Sequence, residues 1–147
     1  MPVFIGYDSR EDIAYRVARH SIERHAEVGG NPVAVHPIRL ATLRAQGLYS
    51  RPDDPLASTE FTYTRFFVPL LAEKLGGGLW PWALFCDCDV LFRADVGELF
   101  AMADPKYAVM VVKHDHNPAN KIKMDGRVQT IYPRKNWSSL VLWNLRH

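Results

Sequence analysis

Two carboxylates at the end of an apolar run carry the first chemical signal in this sequence. Residues 83–91 read Ala-Leu-Phe-Cys-Asp-Cys-Asp-Val-Leu. The apolar start suits a strand buried on both faces of an α/β sheet. Ending such a segment in Asp87 and Asp89 calls for a cation or good donors, because an isolated carboxylate loses heavily on leaving water. An extended backbone would point both aspartates to the same side. Open α/β sheets bind ligands at the carboxyl ends of their strands. A metal ion held by Asp87 and Asp89 and bridging to a phosphate satisfies all three conditions. The alternative is a pair that only ends the strand and opens a turn.

Other residues could serve the same edge. Tyr7 and Asp8 follow a short apolar run, residues 3–7. An aromatic there can stack on a base, and a carboxylate can accept from ribose or base. Equally, a half-buried Tyr at a sheet edge and an Asp in a turn need no ligand. Arg65 lies in an aromatic stretch, Tyr63-Thr64-Arg65-Phe66-Phe67. It must pair with a carboxylate such as Asp8 or Asp87, or meet a phosphate, and its fork of donors suits both. His114-Asp115-His116 reads as a polar loop rather than a metal site, because adjacent residues rarely converge on one ion. Cys86 and Cys88, the only cysteines, should point away from the aspartates as buried free thiols. A disulfide between strand neighbours would be strained.

The elements that must position these residues follow from periodicity. A first strand at residues 3–7 leads through a turn, with Ser9 as helix cap, into a helix over about residues 10–27. One stripe of that helix carries Ile13, Val17 and Ser21, with Ala14, Ala18 and Ile22 beside it. Gly29-Gly30 stops it. A second strand at residues 33–38 completes a β-α-β unit with parallel strands and a right-handed crossover. Residues 40–46 form a short helix ended at Gly47, followed by a loop. Ser58 or Thr59 then caps a second long helix that Pro69 should kink, and Gly76-Gly77-Gly78 ends it. After the aspartate strand come a short helix at residues 95–100, a strand at residues 107–112, a polar loop over residues 117–133 with a turn at 124–126, and a last apolar stretch, residues 140–144.

The 147 residues amount to one domain, and a 48% hydrophobic composition supplies a core. A net charge of +2 with scattered cations argues against a nucleic-acid binder. No stretch approaches the roughly 20 apolar residues of a membrane span. The N-terminus lacks the pattern of a signal peptide, so a cytoplasmic protein, or one whose targeting signal has been removed, is expected.

The order of motifs resembles the GT-A nucleotide-sugar glycosyltransferases, especially the family-8-like group. Four segments carry the resemblance: Phe4-Ile5-Gly6-Tyr7-Asp8, Thr62-Tyr63-Thr64-Arg65-Phe66, Leu84-Phe85-Cys86-Asp87-Cys88-Asp89, and residues 136–144 from Asn136 to Asn144. It implies an α/β fold with a mostly parallel, Rossmann-like sheet flanked by helices. It also implies a metal-dependent transfer of sugar from a nucleoside diphosphate sugar, with UDP as the expected nucleotide, to an acceptor that it leaves open. Tyr7 and Asp8 would line the nucleoside pocket, and Arg65 would approach the phosphates or the sugar. Asp87 and Asp89 would hold Mn²⁺ or Mg²⁺, with Asp87 also near the ribose or sugar. Asn136, Trp137, Ser138, Ser139 and Asn144 would sit near the donor sugar or the acceptor. No side chain stands out as nucleophile or base.

Enzymes of this group usually extend further, and their third metal ligand, often a His, lies in the C-terminal part. The expectation is therefore a single domain over residues 1–147 whose acceptor-side part is missing or reduced, with exposed surface favouring self-association. His147 is not assigned as the third ligand. Two other readings stay open. One is a nucleotide-sugar-binding homologue without turnover. The other is a sugar nucleotidyltransferase, although Tyr7-Asp8-Ser9-Arg10 lacks that class's Gly-rich loop.

Overall fold

The computed structural model describes residues 1–30, 32–114 and 135–147, with the side chains of 27–29, 114 and 135–137 outside that description. Asn31, Asp115 and His116, the loop over residues 117–133 and its turn at 124–126 all lie outside the described residues.

Five strands form one sheet: β1 (Pro2–Gly6), β2 (Ala34–Ile38), β3 (Trp82–Cys86), β4 (Val109–His114) and β5 (Lys135–Asn144). Their order across the sheet is β2-β1-β3-β5-β4. β1 pairs in parallel with β2 and with β3, whereas β5 runs antiparallel to both β3 and β4. Four strands therefore share one direction, and β5 opposes them. All five residues of β1 are buried, as are Ala83 to Cys86 of β3. This is the near-continuous apolar signature of strands covered on both faces.

The covering comes from α1 (Asp12–Gly29) and α3 (Val68–Gly76), with the shorter α2 (Leu40–Ala45) and α4 (Gly97–Ala101) at the periphery. Right-handed crossovers from β1 to β2 and from β2 back to β3 place α1 and α3 on opposite faces. α1 buries Tyr15, Ala18, Ile22 and Ala26, a stripe at helical spacing. Ser21 is buried too, because its hydroxyl donates to the Ala18 carbonyl and accepts from the Phe92 amide. The expected stripe is thus turned about the helix axis. Ile13 and Val17 stay exposed, around a shallow groove shared with Cys88, Asp89 and Leu91.

Two local expectations are corrected. The first helix is entered through a 3-10 turn, Ser9–Glu11, and the cap is Asp8, whose side chain accepts from the Arg10 amide. Ser9 instead donates its hydroxyl to Glu60. There is no long kinked helix after Ser58. A 3-10 turn, Thr64–Phe67, precedes α3, and Pro69 sits in the first turn of that helix. A proline there loses no intrahelical hydrogen bond and has the φ a helix start needs, so it begins the helix instead of bending one.

Gly6, where β1 ends, is fixed by packing. A Cβ there would stand 2.5 Å from Phe61 Cδ2, a fully buried ring in the core. Gly6→Ala is expected to lower unfolding free energy by about 1–3 kcal/mol, the usual cost of overpacking. Urea denaturation measures this, and an unchanged midpoint would mean that Phe61 moves freely.

Candidate functional site

The carboxyl ends of β1, β2 and β3 lie side by side, because the three strands are parallel neighbours. Tyr7 and Asp8 leave β1 at this edge, Arg39 leaves β2, and Asp87 leaves β3. β3 itself stops at Cys86, and residues 88 and 89 form a turn. The extended backbone that would align the two aspartates therefore does not persist. Asp87 is 20% exposed at its side chain, whereas Asp89 is exposed beside the start of α1.

Asp87 and Arg65 form the centre of the cluster. Arg65 Nη1 stands 3.1 Å from Asp87 Oδ1, both side chains being largely buried. The same nitrogen donates to the Ser138 carbonyl at 2.9 Å and to the Ser138 hydroxyl at 3.2 Å. The Asp87 amide donates to the Ser139 carbonyl at 2.8 Å. The guanidinium lies 5.3 and 5.4 Å from the Phe61 and Phe85 ring centres. Ser138 and Ser139 thus hold the Asp87–Arg65 pair in place, partly through the backbone. Of the two carboxylates proposed for Arg65, the structure selects Asp87.

The pair is close but imperfectly matched. Asp87 Oδ1 and Arg65 Nε are buried without a hydrogen-bond partner. Burial pushes the Asp87 carboxyl up to about 6, against the pull of Arg65, and the charges of Asp89 and Glu11 add to the rise. The negative charges of Asp89 and Glu11 thus both act on Asp87. Glu11, in the 3-10 turn before α1, also accepts from the Cys88 thiol at 3.1 Å. Burial first and Glu11 second push that thiol up to about 12, and burial likewise raises Cys86. Both cysteines are buried and free, as expected.

Asp8 is fully buried and fully engaged. Its Oδ1 accepts from the Arg10 amide at 3.0 Å and from Arg10 Nε at 2.9 Å. Its Oδ2 accepts from Arg10 Nη2 at 2.6 Å and from the Glu60 amide at 3.1 Å. The side-chain bond from Arg10 is the main reason its carboxyl is held down to about 2. Tyr7 donates its phenol proton to Asp12 at 2.9 Å, and its ring lies under the Arg39 guanidinium at 3.5 Å.

The remaining candidates separate. The Asn136 and Trp137 side chains lie outside the described residues. Asn144 does not join the cluster: it pairs with Trp82 at the start of β3, while Cys86 at the other end pairs with Leu140. Four residues of strand, about 13 Å at roughly 3.3 Å per residue, separate those ends. There the Asn144 amide donates to the Tyr107 carbonyl at 3.1 Å and closes a turn. The antiparallel direction of β5 is the physical reason.

The residues present fit a divalent cation in part. Asp87 and Asp89 offer hard oxygen donors of the kind Mn²⁺ and Mg²⁺ favour, and one Asp87 oxygen is buried with no hydrogen bond. Among the described residues, no group of three or more His, Cys, Asp or Glu could hold a metal alone. Glu11 and Arg39 were missed in the sequence. Glu11 offers no motif, and only an Arg immediately after the second strand marks Arg39. No helix among the described residues is long and apolar enough to cross a membrane.

Comparison with known proteins agrees with this architecture. No family model matches the chain. It is 50% identical over 145 residues to Protein CDI of Arabidopsis thaliana, covering 99% of this chain and 53% of that protein. The chain thus spans about half the length of that curated relative. Among solved structures, the apo WbbM bifunctional glycosyltransferase superposes with a TM-score of 0.63 at 17% identity, over 99% of this chain and 31% of that one. Galactosyltransferase LgtC, in complex with donor and acceptor sugar analogues, gives 0.56 at 15% identity, over 100% of this chain and 60% of LgtC. Mouse xyloside xylosyltransferase 1 gives 0.52 at 14% identity, over 99% of this chain and 68% of that one. At these identities the likeness is one of fold, and the fold of this chain is that of the GT-A glycosyltransferases.

Proposed function

We propose that this chain carries the donor site of a metal-dependent glycosyltransferase, which moves a sugar from a nucleoside diphosphate sugar to an acceptor. The observation that carries the reading is the largely buried Asp87 carboxylate at the carboxyl edge of the sheet, whose Oδ1 meets the Arg65 cation at 3.1 Å but accepts no hydrogen bond, and which also feels the negative charges of Asp89 and Glu11. A turn aspartate would sit in water or accept backbone bonds. This one sits in a half-dry corner with excess negative charge, which a divalent cation would relieve.

Each residue then has a task. Asp87 and Asp89 would hold Mn²⁺ or Mg²⁺. Such a cation offsets the charge that develops on a diphosphate leaving group. Arg65 adds fixed positive charge at the same place, preorganised by Ser138 and by the Phe61 and Phe85 rings. Tyr7 offers a flat surface for the base, and Asp8 fixes the turn that carries it. Uridine as the base comes from the resemblance of the motifs. Asn136 and Trp137 remain candidates for the sugar side.

Calorimetric titration of UDP into the protein, with and without Mn²⁺, tests this. Binding that requires the metal is expected. Equal affinity in both conditions would remove the metal from the site, and no heat in either would remove uridine. Turnover of a UDP-sugar with a supplied acceptor would separate transfer from nucleotide-sugar binding alone.

A further inference from the structure

Arg39 stands immediately after β2, beside the end of β1, and its guanidinium carbon lies 3.5 Å from the centre of the Tyr7 ring and 5.9 Å from that of Tyr15. Among the described residues no carboxylate pairs with it. An arginine at a sheet edge, on an aromatic face and without an anion, covers the very surface that Tyr7 offers to a ligand.

The two partners differ in freedom. Tyr7 is held from three directions. Its amide donates to the Ile38 carbonyl at 3.1 Å. Its phenol donates to Asp12 at 2.9 Å. Its ring edge meets Tyr15, with centroids 5.2 Å apart and planes at 75°. Among the described residues the Arg39 side chain has no hydrogen-bond or ion-pair partner, and it rests on the ring by a cation–π contact. Contacts of that kind at half-open sites are weaker than stacking of a base on an aromatic ring. Exchange of one for the other is therefore favourable.

We propose that Tyr7 and Arg39 are the fixed and the movable jaw of a clamp for the nucleobase of the donor. The inference rests on the donor-site reading above. The base enters against Tyr7, and Arg39 lifts and settles on the outer face of the base. The jaws then stand roughly 7 Å apart, twice a van der Waals spacing, a short movement for an arginine side chain. A planar guanidinium stacks on aromatic faces as readily as it pairs with anions. Stacking of this kind tolerates any base, so the clamp sets the grip on the nucleoside, while Asp87 and Arg65 deal with the diphosphate.

That division of labour gives the test. UDP and inorganic pyrophosphate are titrated, each with Mg²⁺, into the wild-type protein, Arg39→Met, Tyr7→Leu and the double variant, with folding checked by thermal unfolding. Met keeps the length and apolar stem of Arg39 and removes the guanidinium. Arg39→Met is expected to weaken UDP about tenfold and leave pyrophosphate unchanged. The double variant should lose little more than Tyr7→Leu alone, because a clamp with one jaw grips nothing. Unchanged UDP affinity in Arg39→Met would reduce the stack to surface packing and overturn the proposal. Equal losses for both ligands would overturn it too, by making Arg39 a phosphate ligand. If the wild-type protein binds neither ligand, the donor-site reading itself fails and the clamp falls with it.

Discussion

Asp87→Asn is expected to abolish metal-dependent UDP binding, by at least about 100-fold, and to leave the protein folded. Even outer-shell partners of a bound metal typically cost 10–100-fold when removed, and Asp87 is proposed as a direct ligand. Asparagine keeps the shape and removes the charge, so the Asp87 amide can still donate to the Ser139 carbonyl that holds it at 2.8 Å. Asp89→Asn should have the same effect on binding, and its exposed position gives it no packing to lose. Calorimetry with Mn²⁺ reads the affinity, and urea denaturation reads the fold. If either variant keeps its metal-dependent affinity, that residue is not a ligand. If Asp87→Asn unfolds, Asp87 is a structural turn residue.

The same carboxyl makes a prediction about pH in the metal-free protein. Burial raises its folded value to about 6, above the ordinary carboxylate range near 4. Between those values the native state binds more protons than the unfolded chain. Stability from this group therefore falls as pH rises from about 4 to about 6, and stays low above that. The full effect is about 3 kcal/mol, from the difference between the two values. With the metal chelated, urea midpoints across that window should decline in the wild-type protein, and this component should vanish in Asp87→Asn. A decline of equal size in both would place its origin elsewhere.

Much of this site was legible because its parts obey short-range rules. The apolar run ending in Asp87 announces a buried strand with a charged end. The short first strand places Tyr7 and Asp8 at an edge, and the β-α-β unit makes that edge common to three strands. What escaped depends on direction and packing. Asn144 lies in a segment whose apolar pattern is the same whether the strand runs parallel or antiparallel, and only the antiparallel pairing with β3 carries it to the far end. Residues 58–75 have enough apolar positions for one helix, but Pro69 serves a helix start as well as a kink, and sequence does not separate the two. Glu11 matters only because Cys88 packs against it, and Arg39 only because β2 lies beside β1. Neither neighbour is near in sequence. Of the stripe read on the first helix, Ala18, Ser21 and Ile22 are buried while Ile13 and Val17 are exposed, because apolar residues at helical spacing look alike until Tyr15 is seen to share the buried face.

Asp8 should behave in the opposite sense to Asp87. Asp8→Ala removes a helix cap, usually worth about 1 kcal/mol, and strips the Glu60 amide of its acceptor, a buried loss of roughly 1–3 kcal/mol. A total of about 2–4 kcal/mol is expected in urea denaturation. The ion pair itself adds little, because the Arg10 side chain is 65% exposed. Its carboxyl is held down to about 2, chiefly by the Arg10 side chain. Its stabilising contribution is therefore complete above about pH 4 and is lost as pH falls toward 2. With no exposed surface and four hydrogen bonds already accepted, Asp8 would act on a bound nucleotide only through the turn that carries Tyr7. Asp8→Asn, assayed at a temperature where it is folded, should accordingly be less stable yet bind UDP as the wild type does. Lost affinity with intact stability would instead make Asp8 a direct ligand of the nucleoside. It would require Arg10 to release the carboxylate when the donor enters.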